Sequence, residues 1–396
     1  MLDFDCMNTK IVFGLFVLAL LAAGCVSEFD AKLPSNDEQI LIVDGNIIEN
    51  TTVVFHLGKS FPLDSVFNPN LNINAALTLI GSNGYQSLPA TNMGNGAYIL
   101  SVGSLDDDVA YGIQIEYDGN TYQSALSKPL HTPEIDSVSW IQPKETGTIS
   151  FRVSTHDDSN GAKFFIWDYT ENWEIMAHYY TTIFLNPGTN TFYEDGSAPY
   201  YFCWRSAASN KFLIGSTESL NENRIVNKQL YQFDPTDSRF SRLYCVTVSQ
   251  RAISKSAYEY YQNKITLNDN MGGLFTPQPS ELSGNITCIT NPSKKAMGYV
   301  EVVKNTTQKR IFVPAYQITR PPIYDDCTTI SQDTILQLMA VSRSTYSDLY
   351  SMGYRPSGYA GGHPPVPVEW SSAYCTECTA KGGSKNKPDF WPNNDQ

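Results

Sequence analysis

The chain has 396 residues, with 27 Lys and Arg against 40 Asp and Glu, which gives a formal net charge of −13. This acidity, without a basic cluster, excludes a nucleic-acid-binding protein, because such proteins need cations to contact phosphates. Apolar residues make up 41% of the chain, which is too much for a disordered protein. At about 100–200 residues per domain, the length predicts two domains that each bury a core.

The chain begins with a short apolar segment. Residues 11–23 carry no charged side chain and follow Lys10. The segment is shorter than the roughly 20 residues that span a membrane, and it is typical of a secretory signal peptide. Small residues then precede Cys25, as they do in bacterial lipoproteins, where the Cys thiol is acylated and becomes the new N-terminus. The sequence therefore predicts a signal peptide over 1–24 and a lipidated tether over 25–38.

The first folded domain is predicted over residues 39–132. Short apolar segments alternate there with turn residues, and no helical pattern interrupts them. Residues 111–117 alternate cleanly and run into Asp118-Gly119, which is typical of a two-residue hairpin turn. Several short strands at this spacing indicate a β-sandwich. A proline-bracketed connector ending at Pro133 marks the boundary with the rest of the chain.

Residues 133–396 are predicted to form a larger β-rich domain with a few helices. Aromatic and β-branched segments continue the strand pattern. Two helical patterns each open at a Ser cap, one from Ser254 to about residue 268 and one from Ser331 to about residue 350. The end of the chain is rich in Gly and Pro, which predicts loops. The fold class is therefore mainly β.

Cysteine usage supports an exported protein. Six cysteines remain after the leader and Cys25 are set aside, and an even number favours disulfides outside the cytoplasm. The candidates for disulfide bonding are Cys203, Cys245, Cys288, Cys327, Cys375 and Cys378. The Cys-Thr-Glu-Cys pair at 375–378 leaves zinc, redox and free-thiol readings open. We favour a structural bridge in which one of the two cysteines is joined to Cys327.

Residues with ligand-binding chemistry are few. The five histidines form neither an HExxH motif nor a close pair, so we predict no metal site, no cofactor and no catalytic residues. One aromatic cluster could stack on a sugar or peptide, although the same residues could be packed β-core. It comprises Trp167, Trp173, His178, Tyr179 and Tyr180.

Several separated motifs resemble a Bacteroidetes lipoprotein family catalogued as domain of unknown function 4249. The motifs are Leu41 to Gly45, Gly272-Gly-Leu-Phe275, Gly284-Asn285-Ile286, Asn291-Pro292, Gly298-Tyr299-Val300, and a tail from Cys375 through Gly382-Gly383 to Pro388, Phe390 and Trp391. The resemblance implies an outer-membrane lipoprotein with an Ig- or transthyretin-like N-terminal sandwich. Genes of this family commonly lie beside TonB-dependent transporters. No catalytic residues are established for it, so none is carried over.

Surface proteins of these bacteria carry O-glycans at Asp-Ser or Asp-Thr followed by a small or aliphatic residue. Three positions fit this pattern: Ser65, Ser137 and Thr334. They are predicted O-glycosylation sites.

We therefore expect a non-enzymatic, lipid-anchored outer-membrane protein that faces the cell surface. Its expected partners are membrane lipid through Cys25, a TonB-dependent β-barrel transporter, and a glycan or peptide substrate that it helps to capture. One alternative is a subunit of outer-membrane protein assembly or secretion machinery. Another is a surface hydrolase that uses Asp157, Asp158 and His178.

Overall fold

The computed structural model describes residues 39–61, 73–159, 161–270, 284–321, 326–342, 345–359 and 368–392. The predicted signal peptide and tether, Cys25, Ser65 and the motif at 272–275 lie outside these residues. The described residues are mainly β, with 45% of them in strands and 12% in helices, which confirms the predicted fold class. In the described ranges, no helix is both long enough and apolar enough to cross a membrane.

The secondary-structure elements are numbered in chain order. The strands are β1 (Leu41–Asp44), β2 (Ile47–Ile48), β3 (Thr52–Lys59), β4 (Ala75–Gly81), β5 (Thr91–Gly94), β6 (Ala97–Ser101), β7 (Tyr111–Tyr117), β8 (Asn120–Ser124), β9 (Ile135–Ile141), β10 (Ile149–His156), β11 (Phe164–Met176), β12 (Ile183–Asn186), β13 (Thr191–Glu194), β14 (Phe202–Ala208), β15 (Leu213–Ser216), β16 (Arg224–Phe233), β17 (Leu243–Ala252), β18 (Ile286–Cys288), β19 (Ala296–Met297), β20 (Val302–Val303), β21 (Thr307–Pro314), β22 (Tyr354–Tyr359) and β23 (Val368–Ser372). The helices are α1 (Lys255–Asn270), α2 (Gln332–Ser342), α3 (Tyr346–Ser351) and α4 (Ala373–Thr376), with 3₁₀ turns at Ser238–Phe240 and Ala315–Gln317.

The first β-sandwich packs a sheet of order β19-β1-β3-β6-β5 against a sheet of order β18-β8-β7-β4. Alternate residues of β3 point inward, so Val53, Phe55 and Leu57 are buried between exposed neighbours. The β7–β8 hairpin turns at Asp118 and Gly119, with φ of 52° and 71°. Both values lie in the left-handed region that a type I′ turn requires, as the Asp-Gly pair predicts.

Residues from far along the chain complete this first sandwich. Strand β18 pairs with β8, β19 pairs in parallel with β1, and β20 pairs in parallel with β2. Ile286, Cys288, Val300 and Val302 belong to the same buried cluster as Phe55. We call residues 284–306 the return segment, because here the chain comes back from the second sandwich into the first.

The Asn285 side chain fixes the conformation of the return segment. Its Nδ2 donates to the Val300 carbonyl at 2.8 Å, and its Oδ1 accepts from the Val300 amide at 2.9 Å. The amide side chain thus acts as one more peptide unit in a strand pair. A Cβ at Gly298 would lie 2.0 Å from the Val43 carbonyl oxygen, and one at Gly284 would lie 1.6 Å from the Gly298 oxygen. This close approach explains both glycines of the family-like motif.

The chain passes between the two sandwiches three times, and its two outgoing passages lie side by side. The outgoing residues at 130–132 run beside the end of the return segment: the Leu130 amide donates to Val302 at 2.9 Å, and the Lys304 amide donates to Leu130 at 2.8 Å. The Asn305 side chain bonds both the amide and the carbonyl of Thr132, each at 2.9 Å. Residues 130–132 and the end of the return segment therefore cross between the sandwiches as a hydrogen-bonded pair of strands.

The second sandwich is built around the long strand β11. One sheet has the order β14-β11-β17-β21, with β15 also on β11, and the facing sheet has the order β16-β10-β9. Aromatic side chains dominate the core between them, including Phe151, Phe165, Trp167, Phe240 and Tyr244. Helix α1 covers the other face of β11 with its own small apolar cluster.

The predicted helix from Ser254 to about residue 268 is close to the observed α1. The predicted helix from Ser331 to about residue 350 is wrong in its continuity, because two helices, α2 and α3, occupy that range. Thr345 starts α3 with a capping box: its side chain accepts from the Asp348 amide, and the Asp348 carboxylate accepts from the Thr345 amide. These side-chain bonds to the backbone favour a new helix start over a continuous helix.

A C-terminal module packs the β12–β13 and β22–β23 hairpins against α2 and α3. Its buried cluster includes Ile183, Ile335, Leu349 and Trp370. Two disulfides hold it, Cys203–Cys378 and Cys327–Cys375. The tail then runs over the second sandwich, where the Trp391 ring lies 5.5 Å from the Phe312 ring.

Two disulfide candidates need correction. Cys245 and Cys288 are free, buried thiols. They lie on different sandwiches, Cys245 on β17 and Cys288 on β18, so the topology keeps them apart. Burial raises the pKa of the Cys245 thiol to about 12, with a smaller opposing effect from Arg310. Both cysteines act as small apolar side chains in their cores.

A buried carboxylate lies where the return segment passes α1. Glu301 is 3% exposed, and its Oε1 accepts from the hydroxyl of Ser254, whose Oγ also caps α1 by accepting from the Ala257 amide. Burial raises the pKa of Glu301 from 4.5 to about 7, and the Ser254 hydrogen bonds and the charge of Arg251 oppose this rise. The folded protein therefore takes up a proton here that the unfolded chain releases.

Asn285→Ala should lower the free energy of unfolding by about 2–4 kcal/mol, because the amide and carbonyl of Val300 lose their partners in a half-buried site. Urea unfolding measures this. Asn210→Ala is the matched control, because Asn210 is exposed and has no hydrogen bond within the described residues. Equal stability of the two variants would contradict the role given to Asn285.

Glu301→Gln should remove a pH dependence of stability. In the native protein this group stabilises the fold fully below its unfolded pKa of 4.5, and that contribution is lost as the pH rises through about 7. Unfolding free energies at pH 5 and pH 8 should differ by up to about 3 kcal/mol more in the native protein than in the variant. The exposed Glu222→Gln serves as control, and an unchanged pH dependence in Glu301→Gln would refute the assignment.

Candidate ligand-binding surfaces

The predicted aromatic cluster is not one exposed group. Trp167 is 0% exposed and its Nε1 donates to Gln250 at 2.8 Å, so it is part of the interior. Trp173 is 7% exposed and shares the same core. Both lie on the inward face of β11, because six residues separate them and strand side chains alternate. Tyr180, which is 58% exposed, and His178 are the exposed members of the cluster, and Tyr179 is half-buried.

His178 and Tyr179 brace a disulfide. Their backbone amides both donate to the Cys375 carbonyl, at 2.8 and 3.0 Å. The Tyr179 hydroxyl donates to the carbonyl of Cys327, the partner of Cys375, at 3.1 Å. The two residues thus attach the end of β11 to the C-terminal module.

The residues of the hydrolase alternative lie far apart. Asp158 and Asp136 flank His156, with His156 Nδ1 2.6 Å from Asp136 and Nε2 3.5 Å from Asp158. Asp157 shapes the turn before β11. His178 follows the other end of β11, whose 13 residues span about 40 Å. Within the described ranges, no three His, Cys, Asp or Glu side chains could together hold a metal ion.

The C-terminal module carries five exposed or half-buried tyrosines, which we call the tyrosine surface: Tyr180, Tyr193, Tyr200, Tyr201 and Tyr359. Three are well exposed, at 58% for Tyr180, 50% for Tyr193 and 46% for Tyr359. In the β12–β13 hairpin, Tyr193 lies on the same face as Phe184, whereas Glu194, the partner of Tyr359, lies on the opposite face. The Tyr180 ring meets Tyr201 edge-on at 4.9 Å, and the Tyr359 hydroxyl donates to Glu194 at 2.5 Å.

The tyrosine surface rests on a packed base. The Phe184 ring lies 5.6 Å from Tyr193 and 5.7 Å from Tyr200. The cavity beneath has a volume of about 30 Å³, enough for about one water molecule and well below the roughly 300 Å³ of a small-molecule site. A ligand must therefore bind on the outside of these rings. Tyrosine suits such contacts because it offers a flat apolar ring and a polar hydroxyl.

A second concave region lies between the two sandwiches. The cleft has a volume of about 490 Å³ and is lined by Asp44 and Thr52 from the first sandwich and by Asp168, Arg251 and Tyr261 from the second. Arg251 and Asp168 form an ion pair at 3.4 Å. The charges of this cleft are therefore largely paired within the protein.

The predicted glycosylation sites differ in access. Ser137 is half-buried within β9, and Thr334 is exposed at the start of α2. Ser65 lies outside the described residues. Modification at all three stays a prediction.

Sequence reasoning missed Tyr193, Tyr200 and Tyr359. Tyr193 and Tyr200 are near each other in sequence, but Tyr359 reaches the same hairpin only through the fold, where it bonds Glu194, 165 residues earlier. The one available signal was the Cys-Thr-Glu-Cys pair, which marks the module but not its surface.

Comparison of this chain with known proteins identifies one matching family. The sequence matches the family described as domain of unknown function (DUF4249) over residues 26–309. No curated protein sequence matches the chain. A two-domain fibronectin type III segment of chicken tenascin is among the similar solved structures, with 10% identity, 53% of this chain and 90% of that chain covered, and a TM-score of 0.16. Because the family match covers more than half of the chain, this protein belongs to the DUF4249 family.

Proposed function

We propose that this protein is a surface-exposed outer-membrane lipoprotein that serves as a non-enzymatic accessory subunit of a TonB-dependent transporter. In this role it helps to capture the substrate. The lipobox-like sequence before Cys25 supports the anchor. The partner rests on the genomic context that family membership implies.

The tyrosine surface is the observation that carries the capture role. Its aromatic rings are held ready for contact, because two disulfides and the Phe184 base fix the module that bears them. A surface ordered before binding loses less conformational entropy when a ligand binds. Uncharged, ring-based contacts suit a glycan or a peptide.

Affinity purification of the tagged protein from outer membranes should recover a TonB-dependent barrel. Cys25→Ala should recover much less, because the variant has no acyl anchor to hold it at the membrane. Cys6→Ala is the matched control, since it removes a cysteine that lies within the predicted leader. Recovery of assembly or secretion components in place of a transporter would contradict the proposal.

The triple variant Tyr180→Ser, Tyr193→Ser, Tyr359→Ser should still co-purify with the barrel but should slow growth on the transported nutrient. The stacking area is lost while the fold persists, because all three side chains are exposed. Tyr316→Ser is the control, since Tyr316 is 84% exposed and lies on the 3₁₀ turn after β21. Growth of the triple variant at the native rate would remove the tyrosine surface from the capture role.

A further inference from the structure

A hollow opens on the second sandwich beside Trp173. The register of β11 and β14 places Arg205 directly opposite Trp173. The 3₁₀ turn at Ser238–Phe240 brings Arg239 to the same ring. The guanidinium carbons lie 5.4 Å (Arg205) and 5.7 Å (Arg239) from the centroid of the Trp173 ring. The hollow is shallow and open to solvent, with a volume of about 590 Å³.

The two guanidinium groups have different partners. Arg239 is held from behind: its Nη1 donates to both Glu171 oxygens at 3.0 and 3.1 Å, and its Nε donates to Asp237 at 3.1 Å. Arg205 is exposed, and it makes no hydrogen bond or ion pair within the described residues. The Trp173 ring restrains this cation without neutralising it.

Polar groups complete the hollow. The Ser238 hydroxyl is exposed and makes no hydrogen bond to another described residue, while the Thr236 hydroxyl donates to Asp234 at 2.5 Å. The negative charges nearby, Glu171 and Asp237, are both engaged by Arg239. The two guanidinium groups equal Glu171 and Asp237 in number, so the hollow has no net positive charge. Arg205 is the charged residue lining it that has no ion-pair partner within the described residues.

We propose that this hollow binds the carboxylate of a uronic acid, the acidic unit of many polysaccharides. A guanidinium fork matches a carboxylate with two parallel hydrogen bonds. The free Ser238 hydroxyl suits the hydroxyl groups of a sugar. This inference rests on the proposed capture role for its biological use and names the class of substrate, but the binding chemistry stands on the hollow alone.

Titration of the purified full-length protein with galacturonate, followed by tryptophan fluorescence and calorimetry, tests the site. We expect saturable binding that weakens with salt and is absent with neutral galactose. Arg205→Gln should weaken binding about tenfold or more, because it removes a charge-assisted hydrogen bond. Lys211→Gln is the matched control, since it removes one exposed positive charge shortly after β14 and should bind as the native protein does.

Absence of saturable galacturonate binding would overturn the proposal, and so would native affinity in Arg205→Gln. Equal thermal unfolding of the two variants checks that the exposed substitutions leave the fold intact. The titration needs no barrel, and the affinity purification needs no galacturonate. A negative galacturonate titration would thus refute the binding site without refuting the transporter role, and a negative affinity purification would do the reverse.

Discussion

The pairing of the return segment with the first sandwich is the interaction on which the rest of the structure depends. The Asn285 side chain pairs with Val300 as a peptide group would, and Gly284 and Gly298 allow the backbones to touch. The chain crosses between the sandwiches three times, and the two outgoing crossings pair in parallel, with Asn305 joining them. The two sandwiches are therefore connected by hydrogen-bonded chain segments and not by a single flexible linker.

This arrangement leaves the second sandwich and its C-terminal module to present the proposed ligand-binding groups. The long strand β11 contributes to both surfaces. The residues that follow it bond to the Cys327–Cys375 disulfide near the tyrosine surface, and Trp173 within it packs against the arginines of the hollow. Rigid strands hold such groups more accurately than loops do. The ion pair between buried Glu171 and half-buried Arg239 then fixes one wall of the hollow.

Local signals in the sequence were sufficient for several elements. Alternation in β7 and the Asp118-Gly119 pair predicted a hairpin, because both depend on adjacent residues. The return strands were not predictable in this way, since strands of two or three residues have no detectable period. Trp167 and Tyr180 both lie in an aromatic-rich stretch of sequence, but Trp167 points into the core from β11, whereas Tyr180 is exposed in the connection after that strand. Arg205 meets Trp173 only through strand register, which no single-sequence pattern specifies.

The most direct test of this account is whether residues 39–132 fold without the return segment. The fragment alone should show no cooperative thermal unfolding by circular dichroism, because the buried places of Ile286, Val300 and Val302 stay empty. Adding a peptide of residues 284–306 should restore a cooperative transition, and the same peptide with Asn285→Ala should restore it poorly. Cooperative unfolding of the fragment alone, with no gain from the peptide, would contradict the account.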